Sequence, residues 1–321
     1  MRNQATIRPL SISTALCLCV CAVAVSGEPS GGSAGGRNRT GTADAAARQA
    51  ADDSPWPAPD PRAIAKLKEE LHAQLDETFQ IIPIGPWVVA TDLSAAEAPR
   101  FTKYTIATYA AAIQRQLFTA HPRSEPVKVY LFRDKASYET WNEKLFAEKP
   151  HTPYGYFSRQ RNAMVMNIGT GGGTLLHEMV HAMAEPDFPE IPAWLNEGLG
   201  SLFEQASQQG RGGKIIGITN WRLAGLQESL GRGTATKVKD LLAMSDSVFY
   251  GARSGQNYAA ARYLMQYLQE QGKLEEFYAR IRDKKDTDAL TTLRGVFGNK
   301  QTVEQIEEAC FAWVQTLKFT P

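Results

Sequence analysis

The 321-residue chain has four cysteines, and three of them, Cys17, Cys19 and Cys21, crowd into one apolar stretch near the N-terminus. Only Cys310 is left for the body, which excludes a disulfide framework and a cysteine-based zinc site there. Long apolar runs are also missing. No uninterrupted window of ~20 apolar residues exists, so a multispan membrane protein is excluded. Neither sign of charge is in excess, with 35 Lys+Arg against 34 Asp+Glu, and nucleic acid is therefore not an expected partner. Histidine is scarce, at five in the chain, and no internal repeat is present. Apolar content, by contrast, is ample. At 43% hydrophobic the chain can bury a sizeable core, which excludes a wholly disordered protein, and its length fits one large domain or two small ones.

The N-terminus carries an export pattern. Arg2 and Arg8 give a positive start, the run Leu10 to Val25 is apolar, and the small residues Ala24, Ser26 and Gly27 follow. A secretory signal over residues 1–26 is the expectation, with an uncleaved N-terminal anchor as the alternative. The residue before each early cysteine (Leu16, Leu18, Val20) is larger than a lipoprotein signal prefers. Residues 27–61 are dominated by Gly, Ser, Ala and Pro and read as a flexible tether. The mature protein is then expected to be periplasmic, bound to the cell envelope or secreted, with no stable membrane span.

Residues 62–321 read as the folded body. Ile64, Leu67, Leu71, Leu75 and Phe79 recur at helical spacing. Residues 87–89 read as a strand, 98–119 as a helix, 127–132 as the clearest strand and 134–147 as a helix. Two short strands follow, around 154–158 and 162–168. Helical patterns then continue to the end. This order predicts an α+β fold, with a small mixed sheet in the part up to about 170 and a helical half after it.

The chemistry is concentrated in His177-Glu178-Met179-Val180-His181. Residues four apart on a helix share a face one turn apart, so the two imidazoles can bind one metal ion, and Glu178 beside them can serve as a base. Five histidines and 21 glutamates in a chain of this length give on the order of 0.005 chance matches to the pattern. A hydrolytic zinc site has three protein ligands and an open position. No histidine follows His181, so the third ligand must be a carboxylate. Glu197, 16 residues on, lies in the helical pattern 192–205 behind a loop expected over Glu185 to Pro192, and two antiparallel helices would bring it to the metal. Glu204, two turns beyond Glu197, suits a carboxylate behind a ligating histidine; a solvated helix residue is the alternative.

His177-Glu178-Met179-Val180-His181 followed by Trp194-Leu195-Asn196-Glu197-Gly198 resembles a gluzincin zinc metallopeptidase of the peptidase MA-like group. The resemblance covers about residues 150–285. It implies a thermolysin-like core with an edge strand ahead of the first motif helix, which residues 162–168 fit. It also implies one zinc ion per chain on His177, His181 and Glu197, Glu178 as general base, and a peptide or protein substrate. The GxMEN motif of gluzincin aminopeptidases is absent, so their specificity does not carry over. A gluzincin tends to place a hydroxyl or imidazole donor at the reacting carbonyl oxygen. Tyr258 is favoured for that catalytic role here, with Tyr250, Arg253 and Arg262 as competitors. The main rival reading is a catalytically idle, zinc-loaded binding module on the same scaffold.

Overall fold

The computed structural model describes residues 54–210 and 212–320. The signal expected over 1–26 and residues 27–53 of the tether expected over 27–61 lie outside the described residues. Helix α1 (Pro61–Gln74) starts where Asp60 accepts the Arg62 N–H at 2.9 Å and Pro61 fills the first turn, where its missing N–H is not needed. The apolar spacing runs on to Phe79, yet the helix stops at Gln74. Asp76 accepts both the backbone N–H and the hydroxyl of Thr78, at 3.1 and 2.5 Å, and this local turn replaces helical bonds. Leu75 and Phe79 still reach the core, from outside the helix.

Strands β1 (Gln80–Ile84) and β2 (Trp87–Thr91) form an antiparallel hairpin. Sequence periodicity does not reveal β1, which contains Pro83; the residue is tolerated because β1 is an edge strand. The expected helix over 98–119 begins as a wide π-helical segment (Arg100–Ala110) and narrows into α2 (Ala111–Gln116). Strand β3 (Val127–Phe132), helix α3 (Lys135–Phe146), and strands β4 (Gly155–Ser158) and β5 (Ala163–Asn167) complete the first half. The sheet order is β1-β2-β3-β5-β4, with β2, β3 and β5 mutually parallel and both edges antiparallel. One expectation is thereby corrected. Residues 162–168 are not the edge strand: β5 is flanked by β3 and β4, and β4 is the edge.

Successive side chains in these strands alternate between two cores. Val88, Ala90, Tyr130, Phe132 and Val165 pack against Leu71 of α1 and Tyr138 of α3. Trp87, Val89, Val129, Leu131, Met164 and Met166 face the helical half. That half consists of α4 (Gly172–Asp187), α5 (Ala193–Phe203), a short hairpin β6–β7 (Ala206–Gln208, Ile215–Gly217), α6 (Arg222–Gly231), α7 (Val238–Leu242), α8 (Asp246–Phe249), α9 (Ser254–Glu270), α10 (Leu274–Arg282), α11 (Ala289–Val296) and α12 (Val303–Thr316). The fold is α+β with a small mixed sheet, as the element order predicts.

The tether boundary at 61 is a second correction. Trp56 is 6% exposed, meets Trp87 edge-on with ring centroids 6.0 Å apart, and donates its indole N–H to Gln114 Oε1 at 3.1 Å. An aromatic ring flanked by prolines can still be an anchor, and the packed body includes Trp56. Cys310 is a buried free thiol. Among the described residues, no helix is long and apolar enough to cross a membrane.

Candidate metal centre

Helix α4 buries Leu175, Leu176, Met179, Val180 and Met183, which turns the His177–His181 face toward α5. It does not end before the expected loop at Glu185 but runs through Pro186 to Asp187. Proline offers no N–H to the carbonyl four residues back. That carbonyl, of Ala182, instead accepts the Arg123 Nε–H at 2.7 Å, so the last turn survives and carries Glu185 with it.

Helix α5 passes between α4 and α9 at close range, and two glycines permit this. A Cβ on Gly200 would lie 3.0 Å from Nε2 of His177, and one on Gly198 would lie 3.2 Å from the carbonyl oxygen of Ala261. The start of α5 is held by Asp246 of α8, which accepts the Ala193 N–H at 2.9 Å.

The result is a convergence of three groups. Glu197 Oε2 lies 3.2 Å from His177 Nε2 and 3.5 Å from His181 Nε2. The imidazole rings stand nearly perpendicular, with centroids 4.6 Å apart. One ligand atom from each of His177, His181 and Glu197 falls within 4.8 Å of the others, and among the described residues no other group of His, Cys, Asp and Glu side chains gathers this way. The far nitrogens are also accounted for. His181 Nδ1 donates to Asn196 Oδ1 at 2.9 Å, which leaves the Nε2 lone pair for the centre. His177 Nδ1 is buried without a hydrogen bond, and its nearest carboxylate is Glu204, with Oε1 at 3.7 Å. Glu204 in turn accepts from Arg222 at 2.5 Å. Two imidazoles and a carboxylate aimed at one point, backed by acceptors, fit a divalent metal ion.

Charge couples these groups strongly. Burial opposes ionisation of Glu197, but the two imidazoles overcome it and hold the carboxyl well below the usual carboxylate range. Burial likewise disfavours a charged His181, yet Glu197 outweighs it and raises the imidazole to about 9 in the metal-free protein. Glu178 shifts the other way: burial pushes its carboxyl up, against the pull of the two histidines. Glu178 Oε2 accepts the Phe157 N–H of β4 at 3.0 Å, so the edge strand orients the expected base.

The four expected donors separate clearly. Tyr250 donates to Glu197 Oε1 at 2.7 Å. Tyr258 packs on Phe249, with centroids 5.1 Å apart, and burial together with the nearby Glu197 charge raises its hydroxyl above the usual tyrosine range. Arg262 is fully buried and donates to the carbonyls of Ser201 and Ile218, while Arg253 is exposed and bonds Thr234 and Gln256. None of these contacts reaches His177, His181 or Glu197. Sequence reasoning missed the contacts of Asn196, the Phe157 N–H and the Tyr250–Glu197 bond. Only Asn196 had a visible signal, its place beside Glu197 on the same helix turn.

A cavity of about 240 Å³ opens onto this centre, with Glu178, His181 and Asn196 in its wall. Residues 172–289 match a family described as a protein of unknown function (DUF1570). The matched stretch begins at the first residue of α4 and includes both motif helices, Tyr250 and Tyr258. No curated protein matches the chain.

Proposed function

We propose that this protein is an exported, zinc-dependent peptidase of gluzincin type. The observation that carries the reading is the convergence of His177, His181 and Glu197 beside a cleft whose wall presents His181 and Glu178. Export is supported by the N-terminal sequence pattern. A zinc ion in such a site acidifies water and polarises a carbonyl group.

The chain's own residues supply the rest. Glu178 is not among the three converging ligands, and its raised pKa suits a group that accepts a proton and then returns it to a leaving amine. The Phe157 N–H keeps that carboxylate turned toward the cleft. Asn196 fixes the orientation of His181, and Tyr250 fixes that of Glu197. Tyr258, which stays protonated through the neutral range, is proposed to donate to the reacting carbonyl oxygen.

Elemental analysis and a peptide-library digest test this together. One zinc per chain, cleavage abolished by a chelator and restored by zinc, and loss of cleavage in Glu178→Gln with zinc retained are the expected results. Zinc bound without any cleavage across a broad library would mark an idle scaffold and overturn the reading.

A further inference from the structure

Arg159 is the cation in the wall of the cleft that holds Glu178 and His181. It directly follows the edge strand β4, and its side chain is 67% exposed. Its Nε pairs with Glu185 Oε1 at 2.6 Å. The other oxygen of Glu185 is taken by Arg123, which is 5% exposed and tied to the Ala182 carbonyl. One carboxylate thus faces two guanidinium groups, and the Arg123 charge is also met by Glu125, so Glu185 is the acid that the structure pairs with Arg159. Arg159 makes that pair through Nε, and its terminal NH1 and NH2 edge matches the two oxygens of a carboxylate.

Place and space agree with a substrate contact. Glu185 follows His181 by four residues, roughly 6 Å along the helix axis, or about two residues of extended peptide. A second cavity, of about 470 Å³, lies on the other side of the Arg159–Glu185 pair and shares both residues with the first. A chain leaving the cleft past Arg159 therefore has somewhere to go. The acids facing this wall are Glu178 in the first cavity, exposed Glu125 at the rim of the second, and Glu185, already paired with Arg123.

We propose that Arg159 is a specificity-determining residue that binds a substrate carboxylate within about two residues of the bond cleaved. This rests on the peptidase reading and names the substrate class within it. The carboxylate can belong to an Asp or Glu side chain or to the C-terminus of the peptide.

Matched peptides test the inference with the zinc-loaded full chain. Each pair differs by Glu against Gln at one position near the cleaved bond, and each is made with a free and an amidated C-terminus. A charge-assisted pair predicts that kcat/KM falls about tenfold or more when the recognised carboxylate is removed. Dependence on Glu identifies a side chain; dependence on the free terminus identifies the chain end. In Arg159→Gln the ratio within each pair should drop to near one. Arg159→Lys should retain part of it, and Arg159→Glu should favour Lys-containing peptides. A ratio that persists in Arg159→Gln, or no carboxylate preference in the parent protein, overturns the proposal. If the parent cleaves no peptide, the peptidase reading fails by itself. Fluorescence anisotropy of an acidic peptide on zinc-loaded Glu178→Gln then decides: affinity lost on adding Arg159→Gln supports the contact, and equal affinity refutes it.

Discussion

Tyr250→Phe removes one oxygen atom that touches only the back of a proposed metal ligand. The Tyr250 hydroxyl donates to Glu197 Oε1 at 2.7 Å, leaving Oε2 to face His177 and His181. The ring itself is fixed by Phe249, at 5.3 Å between centroids, and phenylalanine preserves that packing. What is lost is a hydrogen bond to a charged acceptor, worth about 1.5–3 kcal/mol. At about 1.4 kcal/mol per tenfold change, zinc should bind roughly 10 to 150 times more weakly. The carboxylate would lose the Tyr250 anchor in a buried site and keep only the Tyr258 hydroxyl near it on that side. The measurement is a competition titration against a chromophoric chelator, with circular dichroism as the check on folding. Zinc affinity unchanged within twofold would refute the reasoning. Unchanged affinity with a fallen kcat would place the Tyr250 hydroxyl on the substrate instead.

Three further outcomes follow from the geometry. Trp56→Ala should destabilise the protein by about 3–5 kcal/mol, read by chemical denaturation, whereas removal of residues 1–53 should leave stability unchanged; equal stability of the Trp56 variant would return that segment to the tether. His181 is raised to about 9 without metal, so its charged form adds stability that is fully present below the ordinary histidine range and is lost as pH rises through about 9. Zinc must displace that proton, so its affinity should climb with pH toward about 9 and then level; isothermal titration in buffers of different ionisation enthalpy checks the proton release, and none at neutral pH would contradict it. Gly200→Ala places a methyl 3.0 Å from the His177 ring, an overpacking of about 1–3 kcal/mol, and should lower zinc affinity with the fold retained by circular dichroism.

The cluster of two imidazoles and a carboxylate was legible because it is local. Helical spacing puts His177 and His181 on one face, and the absence of later histidines leaves a carboxylate to complete the site. The Tyr250–Glu197 bond was not legible, because it joins residues 53 apart and depends on how α8 meets α5. The edge strand was misplaced for a similar reason. Both 155–158 and 163–167 look like short strands, and only the parallel pairing of β5 with β3 decides which is interior. Trp56 hid inside a composition typical of a linker, because composition averages over residues and an anchor needs only one. Helix α4 outran its expected end because a carbonyl freed by Pro186 found a distant arginine.

Helix α5 has no slack on either side. His177 lies against Gly200, Ala261 and Met265 of α9 lie against Gly198, and Arg262 ties the Ser201 carbonyl from the same helix. The ligand helix cannot shift without moving α9, and α9 cannot breathe without disturbing the histidines. Occupancy of the metal centre is therefore mechanically linked to the integrity of the helical half. Removal of the ion should register as faster amide hydrogen exchange along α9, in residues that touch no ligand.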